Sequence, residues 1–295
     1  MIGAVEAGGT KFVLALADEG GEVREHARIA TEEPDTTLRA MAEFFRGAAG
    51  RHGPIGAFGI GSFGPISLDR AAPDWGAIAT TPKPGWRGAS FPQALAYFGV
   101  PIAIDTDVGA AALGEWIAGA GQGAAMLAYT TVGTGIGAGV LSDGASLGGI
   151  GHLEAGHIRV PQRADDGFAG ICPFHGDCLE GLASGPAIAA RWGAPLDRLG
   201  PKEVEIVAGY LADFAMALVL MHMPARLIFG GGVMKTPGLL SALRRLTGER
   251  LAGYVGHPQL DPGLERYIVP PALGDDAGIR GAIELGRRAL AGVHE

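Results

Sequence analysis

The sequence predicts an α/β protein of two lobes, built by duplication of a β-hairpin-plus-helix unit with a cleft between the copies. Three observations predict it. A hairpin whose turn is glycine-rich and carries Thr, Gly8-Gly9-Thr10, opens the chain, and a second of the same kind, Gly133-Thr134-Gly135, recurs near its middle. Short strand-like runs alternate with segments of helical period. The chain has 295 residues with 47% hydrophobic content, enough for two cored lobes.

In order along the chain, Ile2 to Ala7, Phe12 to Leu16 and Val23 to Ile29 are strand-like runs split by Gly-rich turns, which predicts an antiparallel meander. Pro34-Asp35-Thr36 then starts a helix whose apolar positions Leu38, Met41, Phe44 and Phe45 follow a helical period up to Gly47 and Gly50. Ala57 to Gly61 reads as a buried strand and Ile102 to Asp105 as another, followed by a helix over Ala110 to Ala118. Met126 to Thr131 and Ile136 to Leu141 form the second hairpin. From Gly148 to Gly185 the periodicity breaks. Glu203 to Met223 is a long amphipathic helix, Leu227 to Phe229 a strand running into Gly230-Gly231-Gly232, and Ala277 to Ala291 the closing helix. The boundary is expected near Asp107, giving lobes 1–107 and 108–295, with the last helix able to dock back on the first lobe.

A net charge of −8 with acids and bases interspersed leaves no basic stripe for a nucleic-acid backbone, so nucleic acid is excluded as a partner. The start, Met1-Ile2-Gly3-Ala4-Val5, enters a strand without the pattern of a signal peptide. The longest apolar run, Phe214 to Met221, is shorter than the ~20 residues of a membrane span. The expectation is a cytoplasmic protein with no membrane partner. Glycine (51) and proline (19) punctuate the apolar runs without forming low-complexity blocks, which predicts many tight turns.

Three glycine-rich segments are candidate nucleotide sites, the first two for phosphate and the third for base or ribose. Gly8-Gly9-Thr10-Lys11 offers bare amides, a hydroxyl and a cation at a strand end, although a plain hairpin turn is the commoner source of such a run. Thr131-Val132-Gly133-Thr134-Gly135 repeats the device, and the repetition favours phosphate. Gly230-Gly231-Gly232 follows a strand and suits a nucleotide lying against backbone, or equally a helix-entry turn. Gly59 to Gly64 has GxGxxG spacing, but Pro65 follows and no helix opens there, so a dinucleotide fold is not supported. No GxxxxGK[ST] occurs.

The two cysteines, Cys172 and Cys178, flank His175, and His157 lies upstream, a complete tetrahedral set for zinc. The competing readings are a disulfide or two unrelated thiols. Such a zinc would fix a core-poor loop carrying Glu154, His157 and Glu180. The other histidines, His152 among them, lack partners at ligand spacing, and most of them read as surface or packing residues. Asp105-Thr106-Asp107 ends a strand ahead of a helix, so a carboxylate should project into the cleft. For Asp107, a general base and a helix N-cap are equally compatible.

These residues are similar to a known pattern. Glu6 to Lys11, Gly61 to Pro65, Thr81 to Trp86, Thr106 to Glu115, Gly133 to Gly137, His152 to His157 and Cys172 to Glu180 together resemble, over essentially the full length, the ROK sugar kinases, and among them the bacterial zinc-containing fructokinases. The resemblance implies an actin-like ATPase (ribonuclease H-like) fold, a homodimer, and ATP-dependent phosphorylation of a hexose, with fructose foremost. Glucose, mannose or an amino sugar is the alternative, and a non-catalytic sugar binder or sugar-responsive regulator is a further one. It implies Asp107 as general base, and Gly64, Pro65, Thr106, Glu154, His157 and Glu180 at the sugar. It implies Gly8, Gly9, Thr10, Lys11, Thr131, Gly133, Thr134, Gly135, Gly185, Pro186 and Gly230 to Gly232 at ATP with Mg²⁺, and His157, Cys172, His175 and Cys178 at Zn²⁺. The chain departs from the pattern at Gly109, where most of the family has Asn, and at Glu6, where many relatives have Asp.

Overall fold

The computed structural model describes residues 1–292 apart from Pro82, Ala164, Asp261 and Pro262. By contact the chain divides into two compact units. The first holds Met1–Ile117, Ala145–Leu153 and Asp275–Glu295, and the second Ala118–Gly144 and Glu154–Gly274. The expected boundary near Asp107 sits at the start of a helix that stays almost entirely with the first unit.

The first unit is built on β1 (Ile2–Ala7), β2 (Lys11–Ala17), β3 (Val23–Ala30), β4 (Ala57–Ser62) and β5 (Ile102–Thr106), arranged in the order β3-β2-β1-β4-β5. β1 is antiparallel to β2 and parallel to β4, β2 is antiparallel to β3, and β4 is parallel to β5. The meander expected for the first three strands is thus present. The two faces of this sheet are filled differently, as the two-residue repeat of a strand requires. Val5, Phe12, Leu14 and Phe58 pack with Met41 and Phe45 of α1 (Pro34–His52). Ala4, Ala15 and Ala17, on the opposite face, pack with Ile279, Ala282 and Ile283 of α8 (Ala277–Leu290). Small side chains there let the helix come close.

Closer still are the glycines. A Cβ on Gly59 would lie 1.9 Å from the Ala282 carbonyl oxygen, and one on Gly281 would lie 1.7 Å from that of Ala110 in α3 (Asp107–Ala118). Gly59 and Gly61, which the GxGxxG spacing singles out, therefore serve helix packing: Gly59 faces α8 and Gly61 faces the Cβ of Ala110. A short helix, α2 (Phe91–Ala94), capped by Ser90, lies between β4 and β5 in sequence.

In the second unit, β6 (Met126–Val132) pairs antiparallel with β7 (Ile136–Ser142) and parallel with β9 (Arg226–Gly230), which pairs with β10 (Ile268–Val269). The two-residue β8 (Ala145–Ser146) falls in the Ala145–Leu153 segment of the first unit. As expected, the described residues of 148–185 hold only short turns and α4 (Leu179–Ala183), after which α5 (Gly185–Trp192) begins at a Ser184 cap. α6 (Pro201–His222) packs against α4 and α7 (Leu239–Leu251). α6 is long and apolar enough to cross a membrane, but Val207, Leu211, Phe214 and Leu218 form a buried stripe along it, the pattern of a core helix.

Candidate functional site

In the first unit, the β5–α3 junction presents Asp107. Thr106 Oγ1 accepts from the Gly109 amide at 3.0 Å, which is the N-cap bond, so Thr106 and not Asp107 caps α3. Asp107 is half-buried, and its Oδ1 accepts from the Val108 amide at 2.8 Å. The neighbouring Asp105 is fully engaged elsewhere. It is 6% exposed and accepts from the Thr106 amide at 2.6 Å and from the Ser146 hydroxyl at 2.5 Å. Burial pushes its carboxyl up, against lowering by Ser146, the Thr106 amide and His152.

This arrangement accounts for the departure at Gly109. A Cβ there would sit 2.4 Å from both Asp105 carboxylate oxygens. The space of the missing side chain is thus filled by a carboxylate from the preceding strand, and Gly109 is required by Asp105.

Glu6, at the end of β1, faces the same corner. Burial and then the Asp107 carboxylate push it up to about 7, against Lys11, which lowers it. Its Oε2 is buried with no hydrogen-bond partner among the described residues. Gly278, at the start of α8, makes room for it, since a Cβ there would lie 2.6 Å from the Glu6 carboxyl carbon. Beyond Glu6 the Gly8-Gly9-Thr10 turn is closed by a 3.0 Å bond from the Gly8 amide to the Lys11 carbonyl, with Gly9, Thr10 and Lys11 exposed.

Gly64 and Pro65 follow β4, half-buried. The Pro65 carbonyl accepts from the Ala79 amide at 2.7 Å. The next amide, that of Ile66, donates to His152 Nε2 at 3.0 Å, which puts the ring proton on Nδ1, 3.3 Å from the Leu153 carbonyl. His152 is therefore neither a surface nor a simple packing residue: together with Ser146 it ties the Ala145–Leu153 segment into the first unit. Sequence reasoning misses His152, Asp105 and Ser146 in these roles because their partners lie far away in the chain. The His152 to His157 run was the available signal.

In the second unit the candidates gather around the β6–β7 turn. The Gly133 carbonyl accepts from the Gly185 amide at 2.7 Å, which brings the start of α5, with exposed Pro186, to the turn. Gly231, at φ +92°, lies so close to Val132 that a Cβ would meet its carbonyl oxygen at 2.4 Å, so Gly230 to Gly232 reach the same turn. Thr131 is half-buried in β6, while Thr134 and Gly232 are exposed. Glu180 Oε2 accepts from the Ile136 amide at 2.9 Å. Gly156 stacks its backbone on Ile136, and this puts Glu154 (exposed) and His157 (half-buried) beside the hairpin.

His157, Cys172, His175 and Cys178 offer four ligand atoms all within 4.8 Å of one another. His157 Nδ1 lies 3.6 Å from Cys172 Sγ and 3.5 Å from Cys178 Sγ, and His175 Nδ1 lies 3.7 Å from Cys172 Sγ. Tetrahedral zinc with ordinary Zn–S and Zn–N bonds would hold such atoms about 3.6 Å apart. Both cysteines are free thiols. Burial pushes Cys178 up to about 11, so a thiolate there needs a cation beside it. The donor set fits zinc. His157 Nε2, on the other side of the ring, is 3.9 Å from Glu180 Oε1, so the imidazole joins the metal cluster to the candidate sugar carboxylate.

A fructokinase of Zymomonas mobilis is 45% identical to this chain, over 96% of it and 95% of the relative. The ROK hexokinase of Thermus thermophilus superposes with a TM-score of 0.78 at 28% identity, covering 97% of each chain. The ROK family glucokinase of Streptomyces griseus, solved with glucose and AMPPNP, superposes with a TM-score of 0.75 at 25% identity, covering 97% of this chain and 99% of that one. The architecture is the actin-like ATPase fold expected from the sequence. With the family's pattern running from residue 2 to residue 289, the chain belongs to the ROK family.

Proposed function

We propose that this chain is an ATP:hexose phosphotransferase whose preferred substrate is D-fructose, converted to fructose 6-phosphate. The observation that carries the reading is Asp107: a half-buried carboxylate at the start of α3 whose capping duty belongs to Thr106, in a chain 45% identical to a fructokinase. Asp107 accepts the proton of the sugar's 6-hydroxyl as that oxygen attacks the γ-phosphorus of ATP. The new P–O bond forms as the bond to the β–γ bridging oxygen breaks, and ADP leaves. The Gly8 to Lys11 and Gly133 to Gly135 turns hold the phosphates. Gly185, Pro186 and Gly230 to Gly232 hold the rest of the nucleotide.

Mg²⁺, when bound with ATP, would neutralise phosphate charge, and Glu6 Oε2, buried and without a hydrogen-bond partner among the described residues, would be an oxygen donor for it or for its water shell. Gly64, Pro65, Thr106, Glu154, His157 and Glu180 form the sugar set. Zinc, when bound by His157, Cys172, His175 and Cys178, cross-links a loop that has little apolar core. His157 thereby keeps Nε2 turned toward Glu180 and the sugar. A homodimer and a cytoplasmic location belong to the same proposal.

The test is ADP release and sugar-phosphate formation with ATP, Mg²⁺ and fructose, glucose, mannose or N-acetylglucosamine, with and without a zinc chelator. Fructose gives the highest kcat/KM, and chelation raises KM for the sugar before it abolishes turnover. A higher kcat/KM for glucose would move the substrate; hexose binding without ADP release would overturn the kinase reading.

A further inference from the structure

A phosphate-binding turn works only if its amide protons face the anion, and the planar trans peptide sets how this is done. The C=O of one residue and the N–H of the next belong to one rigid unit and point in opposite directions. Fixing a carbonyl therefore aims the following amide. In the first turn three successive carbonyls are fixed. Gly8 O accepts from Thr31 Oγ1 at 2.8 Å, Gly9 O from Lys83 Nζ at 2.6 Å, and Thr10 O from the Thr31 amide at 3.0 Å. The amides of Gly9 and Thr10 have no partner among the described residues. The outer two carbonyls are held from the end of β3; the middle one, whose peptide carries the Thr10 amide, is held by a lysine from a different segment.

That segment is a stiff support. Trp86 is fully buried, donates from Nε1 to the Glu32 carbonyl at 3.0 Å, and packs its ring 5.7 Å from Phe12 and 5.1 Å from Phe63. Lys83 is half-buried, and among the described residues it has no carboxylate partner. An ammonium has three donors, so two remain after the bond to Gly9. In a chain of net charge −8, an unpaired lysine held at a glycine turn already carrying Lys11 marks a demand for an anion.

We infer that Lys83 is a positioning residue for the phosphoryl donor: it turns the Gly9–Thr10 peptide so that the Thr10 amide faces a phosphate of ATP, and it adds a second positive charge to the turn. This rests on the kinase reading above. The expected signature is a burden on ATP alone. Lys83→Met, which keeps the length of the side chain, raises KM for ATP by about tenfold, the effect of one charge-assisted hydrogen bond. KM for fructose stays within about twofold, and the melting temperature stays within a few degrees, as for most surface substitutions. Lys83→Arg recovers most of the loss, since it restores charge and donors at nearly the same reach. Inorganic tripolyphosphate, a probe with phosphates and no base, binds the wild type more tightly than Lys83→Met in calorimetry.

An unchanged KM for ATP in Lys83→Met, or a loss that falls equally on fructose, overturns the inference. If the wild type turns over no hexose, the kinase reading fails; the tripolyphosphate comparison then decides the role of Lys83 by itself, equal binding by wild type and variant overturning it.

Discussion

Three carboxylates lie within a few residues of one corner of the first unit, and their surroundings give each a different task. Asp107 is the proton acceptor of the proposed reaction, Asp105 is a buried strut hydrogen-bonded to Ser146, and Glu6 titrates near neutrality. Glu6 rises from 4.5 to about 7 on folding, because of burial first and Asp107 second. A carboxyl whose folded pKa lies above its unfolded value holds its proton more tightly in the folded state. Its contribution to stability is therefore fully present below about pH 4.5, is lost as pH climbs to about 7, and changes no further above that. Glu6→Gln removes this dependence. Its melting temperature relative to wild type should improve between pH 5 and pH 8, by an amount corresponding to on the order of 2 kcal/mol. A difference between the two proteins that is the same at both pH values would contradict the assignment. Asp107 is legible from the sequence as a carboxylate at a strand end before a helix. The division of labour with Asp105 is not, because it depends on a serine 41 positions later in the chain.

At the scale of elements, the first sheet and the helices on it are held together by absence of side chains. α8 meets Gly59 of β4 and, through Gly281, the backbone of α3 at Ala110. Gly281→Ala should cost about 3 kcal/mol, the upper end of ordinary overpacking, because the new methyl meets a carbonyl oxygen that cannot turn aside. Gly50→Ala in α1, where a Cβ meets nothing within 4 Å, should instead stabilise by about 0.5–1 kcal/mol through helix propensity. Urea unfolding of the two variants checks both signs, and equal midpoints would refute this account of the glycines. The helices and strands themselves are legible where their period is strong: α1, α6 and both hairpins fall where apolar spacing puts them. α3 begins at Asp107, earlier than the Ala110 that propensity suggests, because the Thr106 hydroxyl supplies a cap that the Gly109 amide can reach. α7 starts at Leu239, a few residues beyond the Gly230-Gly231-Gly232 run. The fate of Ala145–Leu153 is not legible, since nothing local in that glycine-rich run announces bonds from Ser146 to Asp105 and from Ile66 to His152.

For the molecule as a whole, each unit carries some of the residues proposed for the reaction. The first carries Asp107, the proposed base, with Glu6, the Gly8 to Lys11 turn and Gly64-Pro65. The second carries the other glycine turns, Glu154, Glu180 and the His/Cys cluster. The duplicated hairpins and the His/Cys cluster could be found from spacing alone, because each is local in sequence. Lys83 could not be found this way, since only the folded chain brings residues 74 positions apart into contact. The proposed phosphorylation of hexose needs Asp107 as its base, and the turnover of Asp107→Asn with ATP and fructose, alongside its melting temperature and its affinity for both substrates, measures that need. An isosteric amide cannot accept the hydroxyl proton, so kcat should fall by about 10²–10⁴-fold while folding and both affinities stay near the wild-type values. Turnover retained within about tenfold of wild type would contradict the account.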